Sequence, residues 1–364
     1  MAMVIKILTN IAQDNSPLIR IYFVFTTLIL LCSGCQQVSR FETTVKMMGT
    51  ELAITIIGRE DAQEQTDFVI VEMQRINQLM SLWIKDSPLS QLNETANEGW
   101  TETDAEIIDL LREAITYSVL TNGAFDVTAG PLIRLWGFFA RENQRRPDRA
   151  EIEANKLRIG YENIEIDANG KRIRFKQPGM EIDFGGIAKG YAIDLSLAIL
   201  KKNNVENALV NLGGNIGFVG TPRRRDFWTI AVRDPRKSSG LLGYLKLGKD
   251  FETWGVASSG QYERYFEYEG KRYGHIIDPR TGWPVEGVLG TTVIADSALK
   301  ADILSTSTYI IGPEAAQDLL TNESAFGLLI LSGDNDKMII RISSELAERF
   351  ELLPSIENTS IETF

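Results

Sequence analysis

The stretch Asp183-Phe-Gly-Gly-Ile-Ala-Lys-Gly-Tyr-Ala-Ile-Asp194 constrains this chain more than any other, because it reads as a strand, a tight glycine turn and the start of a helix. Met180, Ile182 and Phe184 alternate with Glu181 and Asp183, a period of two that predicts a strand with Asp183 facing away from its apolar neighbours. Ile187, Tyr191, Leu195, Ala198 and Ile199 then recur at helical spacing, so the helix is predicted to begin close to Gly186. A helix start offers unpaired backbone N–H groups and the positive end of a macrodipole, and paired glycines let a phosphate come close to that backbone. Lys189 in the first turn opposes the dipole by about 0.3–1 kcal/mol, a cost that becomes a gain when an anion sits between them. An exposed lysine after an ordinary strand-to-helix turn fits the same residues. Neither a G-x-G-x-x-G fingerprint nor Walker-A spacing is present.

A chain of 364 residues holds one large domain or two ordinary ones, and its 44% hydrophobic and 24% charged residues are those of a globular protein. The net charge of −11 argues against broad nucleic-acid binding and leaves room only for a local cationic pocket. Both cysteines, Cys32 and Cys35, follow the apolar run from Ile21 to Leu31, which Arg20 precedes. That arrangement predicts a secretory signal too short for a comfortable membrane span, and Ser33-Gly34-Cys35 resembles the lipobox of bacterial lipoproteins, with Cys32 where leucine is usual. The division expected is a signal over 1–34 with Cys35 lipidated, a linker over 35–42, a domain over 43–342 and a peripheral tail over 343–364. A retained transmembrane anchor is the alternative, and both place the domain outside the cytoplasm. The domain then has no thiol to use, and with His275 its sole histidine any metal must be held by oxygen, which favours Mg²⁺ or Ca²⁺.

Along the chain, Thr43 to Ile57 reads as a strand region broken at Met47-Met48-Gly49-Thr50. Val69, Met73, Ile76, Met80 and Trp83 make a helical stripe, more often core than a ring-stacking surface. Thr103-Asp-Ala-Glu106 reads as a capping box for a second helix, and Asn122-Gly123 as its end. Ala124-Phe125-Asp126 follows, where turn chemistry and ligand contact explain the carboxylate equally well. Asn211-Leu-Gly-Gly-Asn-Ile216 ends a short strand in a second glycine turn. Ser297 is a predicted N-cap for a helix to Ile310, on which Asp302, Ser305 and Thr306 share one face. One carboxylate and two hydroxyls make a partial shell for a hard cation, or simply let helices pack closely.

Taken together, Met48-Gly-Thr50, Ala124-Phe-Asp126, Asp183 to Gly190, Asn211 to Ile216, Ser259-Gly260, His275-Ile-Ile-Asp-Pro-Arg-Thr-Gly282 and Ala301-Asp-x-x-Ser-Thr306 resemble the ApbE family, the FAD:protein FMN transferases. The resemblance spans residues 43 to 342 and implies an α+β fold related to the T-fold, with mixed and antiparallel sheets, packed helices and an FAD cleft. It implies FAD contacts at Met48, Trp83, Ala124, Phe125, Asp126, Asp183, Lys189 and Ile276. It implies Mg²⁺ ligands at the Gly186 carbonyl, Asp302, Ser305 and Thr306, with Asp302 the one acidic member. The implied reaction is attack by a threonine hydroxyl of a partner protein on the FMN-side phosphorus of FAD, AMP leaving, with His275 expected to take the proton at an ordinary imidazole pKa near 6.5. Partners implied are flavin-carrying subunits of sodium-pumping NADH:quinone reductase and related electron-transfer complexes, met by a lipid-anchored protein on the periplasmic side of the inner membrane. An FAD pyrophosphatase and a noncatalytic flavin-binding lipoprotein are the rival readings.

The anchor is open to direct test. Cys35→Ser is expected to release the protein from membranes or leave its precursor uncleaved, and unchanged lipid labelling in that variant would refute the assignment.

Overall fold

Strand order equals chain order across the main sheet of the computed structural model, which describes residues 39–139, 143–237, 239–248, 253–333 and 337–364. Its nine strands are β1 (Arg40–Met47), β2 (Thr50–Ile57), β3 (Ala208–Leu212), β4 (Asn215–Val219), β5 (Thr253–Gly260), β6 (Val288–Ala295), β7 (Phe326–Ser332), β8 (Met338–Ile342) and β9 (Thr359–Thr363). Neighbours pair antiparallel throughout except β8 and β9, which run parallel. Residues 40–364 form one compact unit. The expected signal, Cys35 and the linker as far as residue 38 lie outside the described residues.

The strand ends fall on two opposite rims, and one rim brings three glycine-bearing segments together. Met48 and Gly49 join β1 to β2 with φ of 49° and 74°, the left-handed pair that a two-residue hairpin turn requires. Gly213 and Gly214 join β3 to β4 beside them, and a Cβ on Gly213 would lie 2.6 Å from Thr50 Oγ1. Gly260 ends β5 opposite Gly290 on the same rim.

The sheet's inner face, with Leu52, Ile54, Ile56, Val210 and Leu212 fully buried, packs against α1 (Ala62–Met80), α3 (Ala188–Lys202) and α4 (Ala298–Ile311) in a single apolar cluster. That cluster also takes in α2 (Ala105–Leu120) and α5 (Pro313–Asn322). Two glycines bring α4 unusually close. A Cβ on Gly190 of α3 would stand 2.4 Å from Ala298 O, and one on Gly255 of β5 would stand 2.2 Å from Ala298 Cα. A second cluster, Leu132, Trp136, Phe138, Ile152, Ile159, Tyr273 and Ile277, pins the segment around His275. Trp136 Nε1 donates to Gly282 O at 3.0 Å within it.

Three expectations are corrected. Residues 180–184 alternate as predicted, with Met180, Ile182 and Phe184 buried, but they form no strand. Their backbone is satisfied by side chains instead. Asn93 donates to Ile182 O and accepts from Ile182 N, both at 2.8 Å, while Asn97 bonds Gly179 N and Met180 O. The cap of α2 is Asp104 rather than a Thr103–Glu106 box: Asp104 accepts from Glu106 N at 2.8 Å, and the Glu106 carboxylate is engaged by Arg75 and Tyr191 instead. The tail is not peripheral. Phe350–Leu352 pairs with Leu241–Gly248, and β9 extends the main sheet, where backbone pairing suffices although Ile361 is 45% exposed.

Asn93→Ala strands two backbone groups of the fully buried Ile182, and is expected to lower stability by about 2 kcal/mol, within the usual range for unsatisfied buried polar groups. Urea unfolding checks this, and an unchanged midpoint would show that the 180–184 segment does not depend on the asparagine.

Candidate functional site

The first turn of α3 and the first half of α4 meet at a carboxylate. Asp302 is 4% exposed, accepts Gly190 N–H at 3.1 Å on Oδ2, and lies 3.8 Å from Lys189 Nζ through the same oxygen. Burial pushes the Asp302 carboxyl above the ordinary aspartate range, and Lys189, Gly190 N–H and Asn215 oppose that push. Asn215, at the start of β4 and 3% exposed, turns its buried Nδ2 toward Asp302 and so favours the ionised carboxylate, but without reaching full hydrogen-bond geometry, which leaves the amide under-satisfied. An orphaned donor beside a carboxylate is expensive to keep, and it marks a place where a ligand oxygen would be welcome.

The hydroxyls on α4 fall where their spacing puts them. Ser259 of β5 reaches Ser305 Oγ at 3.0 Å and Thr306 Oγ1 at 3.3 Å, and Ser305 Oγ donates to Asp302 O at 3.0 Å. Ser305 is fully buried, while Thr306 is partly exposed. Gly186 lies in the turn before α3, with Phe125 beneath it, 3.8 Å from where a Cβ would be. Among the described residues no three His, Cys, Asp or Glu side chains gather to hold a metal. A carbonyl, one carboxylate and two hydroxyls still suit a hard cation that shares its shell with a substrate phosphate.

His275 stands on the neighbouring segment. Its backbone N and its Nδ1 both approach Arg264 O, at 3.0 and 3.2 Å. A carbonyl oxygen only accepts, so Nδ1 carries the proton of the neutral ring and Nε2 keeps its lone pair. Burial, then the charges of Arg264 and Lys189, push the imidazole down to about 4. This departs from the ordinary imidazole expected for His275, and it is the packing and these two cations that change it.

The remaining candidates divide. Asp183 accepts from Gly185 N at 2.7 Å, donates its own N–H to Val127 O at 2.7 Å, and is raised by burial, with Arg134 and Arg264 opposing. Asp126 holds a turn, accepting from Thr128 N, Thr128 Oγ1 and Tyr161 N, so most of its lone pairs are already taken. Ala124 and Phe125 are buried, which leaves their backbone rather than their side chains for a ligand. Ile276 accepts from Val285 N at 3.1 Å and is partly exposed. Met48 sits in the rim turn, partly buried against the main cluster. Trp83 lies beyond the end of α1 rather than on its stripe; it is 65% exposed, and its ring stacks on Phe139 at 4.4 Å and 9°. Arg134 lies over that Phe139 ring at 3.7 Å and pairs with Glu181, which ties the stack to the 180–184 segment. Sequence reasoning gave no role to the side chains of Asn215, Ser259 and Arg264, although Asn215 and Ser259 lie in segments that carry the resemblance.

With this geometry in place, comparison with known proteins becomes informative. A model of the ApbE family matches residues 48–329. The FAD:protein FMN transferase of Vibrio cholerae is 31% identical over 325 residues, covering 87% of this chain and 95% of its own. That of Haemophilus influenzae is 29% identical over 325 residues, covering 86% and 92%. Among solved structures, the ApbE protein of Thermotoga maritima aligns with a TM-score of 0.77 at 34% identity, over 85% of this chain and 99% of that one. The flavin transferase ApbE of Vibrio cholerae aligns with a TM-score of 0.75 at 29% identity, over 86% and 99%.

Because His275 is the sole histidine, its titration can be followed by NMR without assignment. Its ring resonances are expected to stay put between about pH 8 and about pH 5.5, where an ordinary imidazole completes most of its titration. Lys189→Met removes a cation and is expected to raise the midpoint; a midpoint near 6.5 in the unaltered protein would refute the assigned surroundings.

Proposed function

The chain belongs to the ApbE family, and from that premise we propose that it carries FMN from FAD to an acceptor protein. The observation that supports this reading most is the meeting of Lys189, Asp302 and the start of α3, a cation, an anion and a helix N-terminus converging on one point. A flavin dinucleotide brings to such a point a diphosphate, the one part of it that needs both a positive partner and a divalent counterion. A Mg²⁺ ion held by the Gly186 carbonyl, Asp302, Ser305 and Thr306 would supply charge neutralisation for the diphosphate.

The chain's own residues do the rest. Lys189 binds the diphosphate oxygens with the α3 macrodipole behind it and the Asn215 amide available as a further donor, while Ala188 and Gly190 N–H stay with Phe184 O and Asp302. The acceptor's threonine oxygen forms a bond to the FMN-side phosphorus as the diphosphate P–O bond breaks, AMP leaves, and the hydroxyl proton passes to Nε2 of His275. The product is a phosphodiester-linked flavin. Exposed Trp83, backed by Phe139 and Arg134, offers a ring face on which an aromatic part of FAD stacks. We place the reaction on the periplasmic side of the inner membrane, anchored through Cys35, with flavin-carrying subunits of sodium-pumping NADH:quinone reductase or similar complexes as acceptors. No helix among the described residues is long and apolar enough to cross a membrane.

Co-incubation with FAD, Mg²⁺ and an acceptor protein is expected to give AMP together with an acceptor heavier by one FMN less water. AMP and free FMN without an adduct would make the protein a pyrophosphatase, and bound FAD without AMP would make it a binder. Asp302→Ala removes the one carboxylate of the cation shell, and its turnover is expected to fall on the order of a hundredfold, since cation neutralisation of phosphate contributes several kcal/mol. Undiminished activity of this variant at limiting Mg²⁺ would refute the shell.

A further inference from the structure

Two rungs join α3 to α4. At one, Gly190 N–H donates to Asp302 Oδ2 at 3.1 Å. At the other, Asp194 spreads both carboxylate oxygens across the start of α4, Oδ1 accepting from Ala298 N at 2.7 Å and Oδ2 from Leu299 N at 2.9 Å. The step from 190 to 194 on α3 matches the step from 302 back to 298 on α4, so the helices run antiparallel and the rungs are about one turn, about 6 Å, apart. We propose that Asp194 is a positioning residue: its carboxylate fixes the registry of α4 against α3, and thereby sets how close Asp302 comes to Lys189.

Asp194 and Ser297 divide the start of α4: Ser297 accepts from Lys300 N at 3.1 Å, Asp194 takes the two preceding N–H groups from another helix, and Ser297 also bonds Asp194, so the cap is at the same time a tie between helices. Asp194 is largely enclosed, and burial pushes its carboxyl up to about 6, so holding a charge there opposes stability rather than serving it. The rung also has no slack on its inner side, because Ala298 O stands 2.4 Å from where a Cβ on Gly190 would be. With one rung holding Asp302 and the other holding the helix start, a longer or weaker second rung moves Asp302 relative to Lys189. Neither residue's own surroundings would correct that.

This inference rests on the transfer reading for its kinetic consequence but not for its geometry. Asp194→Glu keeps the charge and the cap and adds one methylene, while Asp194→Asn keeps the size and loses one acceptor. Both are expected to lower kcat for AMP release at saturating Mg²⁺ by about tenfold or more, the scale of small misplacements at a reacting centre. FAD affinity, read by flavin fluorescence, is expected to stay within about threefold, since ring contacts lie elsewhere. Asp104→Ala, which removes a cap of the same chemistry from α2, serves as the control for lost stability alone. A crystal structure of Asp194→Glu is expected to show the Lys189 to Asp302 separation changed from 3.8 Å. Unaltered kcat in Asp194→Glu, an unchanged separation, or a kcat loss matched by Asp104→Ala would overturn the proposal, as would failure of both Asp194 variants to fold. A native protein that releases no AMP would sink the transfer reading, and the crystallographic separation would then decide the inference by itself.

Discussion

The site turns on one incompletely satisfied ion pair. Lys189 and Asp302 stand 3.8 Å apart, a separation worth about 4 kcal/mol at the effective dielectric of partly buried pairs. That attraction does not win: the Asp302 carboxyl stays above its ordinary range, because loss of solvent outweighs the help of Lys189, Gly190 and Asn215. Lys189 for its part sits in the first turn of α3, where the dipole repels it. Each member of the pair therefore lacks a counter-charge that the other supplies only in part. A dication against the carboxylate and a diphosphate against the lysine would add equal and opposite charge, and would relieve both deficits at once. The orphaned amide of Asn215 points to the same need for an incoming oxygen.

The fold delivers that pair through close approach rather than through any single strong bond. Because the main sheet runs in chain order with antiparallel neighbours, segments far apart in the chain, at 48, 213 and 260, end on one rim. Gly190 and Gly255 press on Ala298 from two sides, which lets α4 lie against both sheet and helix. Larger residues at either position would lift α4 away and carry Asp302 with it, so two glycines that touch no ligand decide whether the chemical groups meet.

Much of this was legible in the chain. Period-two and helical patterns located β1, β2 and α3, Ser297 capped α4 as its position suggested, and Asp302, Ser305 and Thr306 do share a face. What the pattern could not carry was partnership. Residues 180–184 have the alternation of a strand, but alternation reports only which side chains are buried, and Asn93 and Asn97 took the place of a ladder. Residues 359–363 lack an apolar face and are a strand nonetheless, since an edge strand needs backbone pairing alone. Asn215 and Arg264 were invisible as site residues because their importance lies in what they face, and the chain separates them from Asp302 and His275 by turns whose geometry no local spacing encodes.

His275 poses the sharpest chemical question, because a ring pushed down to about 4 is a poor base by ordinary standards. Two physical features reduce the difficulty. Phosphoryl transfer passes through a loose arrangement in which the attacking hydroxyl keeps its proton until the new P–O bond is well advanced, by which time the oxygen is far more acidic than a free alcohol. A weak base suffices at that stage, provided it is neutral and its lone pair is held in place. The hydrogen bond from Nδ1 to Arg264 O provides the second condition by fixing the tautomer, and the low pKa guarantees the first. Burial depresses the ring most, with Arg264 and Lys189 adding to it, and a diphosphate bound at Lys189 as proposed would offset part of that depression. Placement of Nε2, more than its intrinsic basicity, is therefore what this arrangement supplies.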